Sequence, residues 1–187
     1  MPRYYDLVDD RRSETRWHLR SPLDEHGSPI NPWQFFEGRR LELQEVIRFP
    51  VRPAGEALDF TWAAFSIPIV HHRFVQLFQR LRVPDVQFIP VQVEAHPGPY
   101  FILNALRLIR CIDDARCAEV QYWKPEDGKP EKTGRYRFVA GMRIDATKVG
   151  DARIFRTWGW DIALILSEDI KEAIEAAGLS GARFVEV

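Results

Sequence analysis

Only two stretches of this chain carry a helical period, and that limits the architectures open to it. In the first, Ile69 to Leu81, the residues Val70, Phe74, Leu77, Phe78 and Leu81 recur at the spacing of one helix face. Pro68 suits the first helical position, where its missing N–H costs nothing, and Val83-Pro84 closes the segment. In the second, Glu168 to Ala177, the stripe is Ile170, Ala173, Ile174 and Ala177. Ser167 is an N-cap type, Glu168 and Asp169 put negative charge on the positive end of the helix dipole, and Gly178 supplies the left-handed stop.

The remaining apolar segments read as strands. They are Arg3 to Val8, Val86 to Val93, the long run Tyr100 to Ile112, Ala118 to Trp123, Arg153 to Thr157, Asp161 to Leu166 and Ala182 to Val187. Arg135 to Asp145 alternates, with Tyr136, Phe138, Ala140, Met142 and Ile144 on one side, which predicts a half-buried strand. Pro90 removes a ladder donor and places its strand on an edge or at a bulge. Pro97-Gly98-Pro99 reads as a tight connection, and residues 125–130 as a polar loop with an Asp-Gly turn. Two helices among many strands cannot build a βαβ series. The expected fold is therefore α+β, a mostly antiparallel sheet flanked by two main helices at about 68–82 and 167–177. A single domain over 1–187 is expected, less regular at about 10–60, where prolines and glycines crowd residues 20–33.

Charge and composition narrow the function. Twenty-six basic and 27 acidic residues leave a net charge of −1, without the basic excess through which duplex-binding proteins contact phosphates. No run of about 18 apolar residues suggests a membrane span, and no apolar stretch at the start suggests a signal peptide, so residence in the cytoplasm is expected. Cys111 and Cys117 are too few for a disulfide framework and match no zinc spacing.

Candidate chemistry is thin. His71-His72 are adjacent, so on a helix they point about 100° apart and cannot chelate one ion as a pair at i and i+4 does. Asp113-Asp114 at a strand end suit an ordinary turn better than an acid–base pair. Cys111 sits in an apolar context that suits a buried small hydrophobe better than a nucleophile. No phosphate loop, dinucleotide fingerprint, H-E-x-x-H or nucleophile elbow occurs, so no catalytic residue, metal or cofactor is expected. What stands out is aromatic and basic. Trp123, Trp158 and Trp160 lie in polar or turn-rich sequence, and Arg135, Arg137 and Arg143 share one segment. Trp and Arg are favoured anchors of protein interfaces, which makes these six the candidate partner-binding residues. An exposed edge near Pro90 would also allow a homodimer.

The order of short motifs resembles a known family. Ser66-Ile67-Pro68-Ile69-Val70 is followed by Val86-Gln87-Phe88-Ile89-Pro90-Val91, Tyr100-Phe101-Ile102-Leu103-Asn104 and Cys111-Ile112-Asp113. Near the end stand Ile154-Phe155-Arg156, Ile165-Leu166-Ser167-Glu168, Ile174-Glu175-Ala176-Ala177-Gly178-Leu179 and Gly181-Ala182-Arg183-Phe184. This series resembles the bacterial polymorphic-toxin immunity proteins, number eleven in the usual naming and formerly a domain of unknown function. The resemblance covers most of the chain, least over residues 10–60. It implies a non-enzymatic protein that neutralises a cognate secreted toxin encoded nearby, and it supplies no catalytic residues. The alternatives are a structural or regulatory interaction module, or an enzyme of unrecognised type.

Overall fold

The computed structural model describes residues 2–12 and 14–187. In chain order the elements are β1 (Tyr4–Asp9), β2 (Ile47–Phe49), β3 (Phe60–Ala63), β4 (Ile67–His71), α1 (His72–Arg80), β5 (Val86–Val93) and β6 (His96–Ala105). There follow β7 (Leu108–Ile109), β8 (Glu119–Tyr122), β9 (Tyr136–Ala140), β10 (Ile154–Thr157), β11 (Trp160–Ser167), α2 (Glu168–Ala176) and β12 (Ala182–Glu186). The fold is α+β, dominated by sheet. The strands form two five-stranded sheets, ordered β12-β1-β11-β10-β7 and β2-β5-β6-β4-β3, and a separate pair β8-β9. Most neighbours run antiparallel, but β2 with β5 and β7 with β10 are parallel, so both large sheets are mixed.

The central strands of each large sheet are buried on both faces, which explains their continuous apolar runs. In β4 and β6, Val70 and Leu103 join the core shared with the helices, while Ile69 and Ile102 face a second core under the N-terminal segment. In β11, Leu164 and Leu166 face the helical core, while Ala163 and Ile165 pack with Phe155, Cys111 and Ile144. The helices contribute Phe74, Leu77, Phe78, Ile170 and Ile174 to the shared core. The segment before β2 has little regular structure yet is anchored. Trp17 is fully buried and donates its indole N–H to Thr61 at 2.8 Å, and the buried Arg16 pairs with Asp9 at 2.9 Å.

Three local expectations are corrected, and a fourth is refined. The first helix is shorter than its periodicity suggested. Ile67-Pro68-Ile69-Val70-His71 is a strand, because its β-branched residues fill cores on both sides, and Pro68 lies opposite Trp62 of β3. The helix begins at His72, with the His71 side chain accepting the Arg73 N–H. Pro97-Gly98-Pro99 belongs to β6, and the turn falls one step earlier at Glu94-Ala95, where Ala95 takes φ 60°. The alternation over 135–145 is cut at Gly141 (φ 54°), where Ala118 leaves no room for a β-carbon, and Phe138 of β9 is exposed. Strand β5 is internal rather than an edge at Val91–Val93, where β2 joins it. Only its first half, ending at Pro90, lacks a neighbouring strand on that side, and there Gln87 exchanges two hydrogen bonds with the Leu41 backbone. Pro90 itself thus lies where no strand pairs on that side, next to the register shift between Val91 and Val93, in keeping with its missing donor. The second helix, with Ser167 at its start and Gly178 (φ 59°) after it, lies where the sequence places it.

Candidate functional site

Strands β8 and β9, with the turns between them, form an arm outside both large sheets. A two-stranded ribbon is marginal alone, so its seat on the body matters. Tyr136 N–H donates to the Gly159 carbonyl at 3.1 Å. Arg135 donates to Asp161 at 3.0 Å. Asp114 accepts the hydroxyls of both Tyr122 and Tyr136, whose rings lie 4.7 Å apart. Burial, then the Asp114 carboxylate, push the Tyr136 phenol above its ordinary range.

Between the arm and the body lies a groove of about 720 Å³. The arm contributes Trp123, Lys132, Arg135, Tyr136 and Arg137, and the body contributes Trp33, Phe36, Leu108, Trp160 and Ile162. Trp160 is placed by the β10–β11 hairpin, a two-residue loop of Trp158 and Gly159 in which Gly159 takes φ 84°. A β-carbon there would press on the Tyr136 ring and strain the left-handed backbone, so glycine lets the turn and the arm approach closely. Trp33 is 57% exposed and Ile162 40%, an unusual amount of apolar surface on one opening.

Asp161 is the joint of the site. Its carboxylate accepts Arg135 from the arm and the Gly159 N–H from the turn, and its carbonyl accepts Arg156 at 2.7 Å. Arg156 is fully buried beneath Phe36, whose ring centre lies 4.4 Å from the guanidinium. Burial pulls this guanidinium down to about 9, against the pull of Asp161 and Asp6. On the arm, the ammonium groups of Lys129 and Lys132 lie 5.0 and 5.2 Å from the Trp123 ring, and Arg137 lies 5.2 Å from it while pairing with Asp127. Each such cation–ring contact contributes on the order of 0.5–1 kcal/mol at exposed sites.

Four of the six residues singled out from sequence therefore meet in one groove: Trp123, Trp160, Arg135 and Arg137. Trp158 is half-buried beside it, under the Arg110 guanidinium at 3.7 Å. Arg143 is elsewhere, donating to the Glu186 carbonyl. Sequence reasoning missed Trp33, Phe36, Lys132 and Ile162 as members of the site. Trp33 alone carried a signal, an aromatic residue in a proline-bounded loop.

The candidate catalytic groups do not assemble. His71 caps α1 near Asp59, and His72 lies against Phe101. Asp113 pairs with Arg116 and Asp114 holds the arm. Burial pushes the Cys111 thiol up to about 12, far from a reactive thiolate. Among the described residues no three His, Cys, Asp or Glu side chains group to hold a metal. No helix of the described residues is long and apolar enough to cross a membrane.

Fold and groove together define an α+β protein with an aromatic groove edged by charges of both signs. The model of the Immunity protein family (Imm11) matches residues 2–187, nearly the whole chain, and the chain belongs to that family. No curated protein matches it.

Proposed function

We propose that this protein is a bacterial immunity protein that binds and neutralises a cognate secreted toxin encoded nearby, acting in the producer's cytoplasm, as one domain and without turnover. The observation that carries this reading is the family match over residues 2–187. The groove supports it, because neutralisation by binding needs a preformed, partly desolvated surface with rigid aromatic anchors. Trp123 and Trp160 are those anchors. Arg135 and Arg137 hold the wall in shape through Asp161 and Asp127 while their remaining N–H groups face a partner.

The test is direct binding between this chain and the purified toxin domain encoded beside it, rendered inactive. A stoichiometric complex that loses affinity in Trp123→Ala and Trp160→Ala supports the reading. A complex indifferent to both variants would move the docking surface away from the groove. The absence of any complex would refute the binding reading itself.

A further inference from the structure

The charges at the groove are unevenly paired. Arg135 and Arg137 each hold a carboxylate, at 3.0 Å in both cases. Three neighbouring cations do not. Arg110 lies over the Trp158 ring, and Lys129 and Lys132 lie by the Trp123 ring, yet none of the three makes an ion pair among the described residues. Of these three, Lys132 lines the groove, while Arg110 and Lys129 border it at Trp158 and Trp123; the lining carboxylates are Glu37 and Asp161, both ion-paired, and Glu131, which makes no ion pair among the described residues. The rings restrict where the cations can sit. A carboxylate arriving there meets charges already positioned, so less side-chain freedom is lost on binding. Nothing in the composition foretells this, since the chain as a whole has a net charge of −1.

We infer that the groove receives an acidic, extended segment of the toxin, its carboxylates meeting Lys132, Lys129 and Arg110 and an apolar residue between them resting on Trp123 and Trp160. The inference rests on the proposed function and names the partner chemistry of the same site. Two aromatic patches flanked by cations suit a segment in which acidic and apolar residues are interspersed. Complementary charge would steer the encounter and hold register, and the apolar contact would slow release.

The experiment measures the affinity of the inactive toxin domain for the wild-type chain, for Lys132→Glu, for Arg110→Glu and for the double variant. Arg80→Glu, an exposed α1 position remote in sequence, is the control, and circular dichroism verifies that every variant folds. Each groove reversal is expected to weaken binding about 10-fold and the pair about 100-fold, as charge complementarity at an interface predicts, with a shallower dependence on salt. The control should stay near wild type. Toxin bound by the double variant within about 2-fold of wild type would overturn the inference while leaving the proposed function standing, because the expected loss for close charge pairs is far larger. No toxin binding by the wild-type chain would overturn both. A labelled single-stranded oligonucleotide that binds wild type and is lost in the same reversals, with toxin affinity unchanged, would assign the groove to nucleic acid and overturn the inference.

Discussion

Asp6 offers a stability measurement that probes the first sheet directly. It lies on β1 between β11 and β12, and its carboxylate accepts one weak hydrogen bond, from the Leu164 N–H at 3.3 Å. Burial pushes its pKa from 3.8 up to about 7, only partly opposed by that bond and by the charge of Arg156. The sign follows from proton counting. Between about 3.8 and about 7 the folded chain keeps a proton on Asp6 that the unfolded chain releases. Stability contributed by this group is therefore full at low pH and is lost as pH rises through that window. The shift of roughly three pKa units corresponds to at most about 4 kcal/mol. The depressed carboxyl of Asp10, brought down to about 2 chiefly by its hydrogen bonds from Arg12, acts with the opposite sign and at lower pH, so the two effects do not overlap. Asp6→Asn keeps an acceptor for Leu164 and cannot ionise. Urea unfolding of both proteins at pH 4.5, 6 and 8 should show the smallest difference at pH 4.5, about 1 kcal/mol, because that pH lies only a little above the 3.8 at which the window opens. The variant should gain an advantage that grows with pH toward a ceiling of about 4 kcal/mol, less what Arg156 loses when a nearby negative charge is removed. Parallel stability curves for the two proteins across this range would refute the reasoning.

Three further outcomes are expected. Trp123→Ala should weaken toxin binding by about 2 kcal/mol or more with a change in stability under about 1 kcal/mol, whereas Trp158→Ala, half-buried under Arg110, should lower the melting temperature more than the affinity; calorimetry and thermal melts separate the two. Thiol titration of the native protein at neutral pH should modify Cys117 alone, since Cys111 is fully buried and its thiol raised to about 12, and both should react once the chain is unfolded. Gly181→Ala should destabilise by roughly 2–4 kcal/mol, read by denaturant midpoint. Gly181 takes φ 87°, and a β-carbon there would fall 2.1 Å from the Phe60 carbonyl oxygen.

The sequence was most legible where one element faces one environment. α2 announces itself with an N-cap, acidic first turn, apolar stripe and terminal glycine, and β5, β10 and β12 fall close to their apolar runs. It misled where a segment serves two. Ile69 to Leu81 carries an apolar pattern that satisfies a helix, but Ile69, Val70 and His71 end strand β4, where Ile69 and Val70 fill two cores, a choice made by tertiary packing. The mixed sheets were hidden for a related reason, because β2 and β7 are short and their parallel partners lie far away in sequence. The groove was half visible. Trp123, Trp160, Arg135 and Arg137 stood out as aromatics and arginines in polar sequence. Phe36, Leu108 and Ile162 look like ordinary apolar residues until the arm folds over the body. Arg156 could not be foreseen as the buried support of the site, since its neighbours Phe36 and Asp161 come from distant or turning chain.

The most direct test of the central claim is growth of cells that express the adjacent toxin, with and without this chain. The account predicts that the toxin alone arrests growth, that the wild-type chain restores it, and that Trp123→Ala with Trp160→Ala abolishes the protection while the chain remains folded. Arrest that is equal in the presence and absence of the wild-type chain would contradict it.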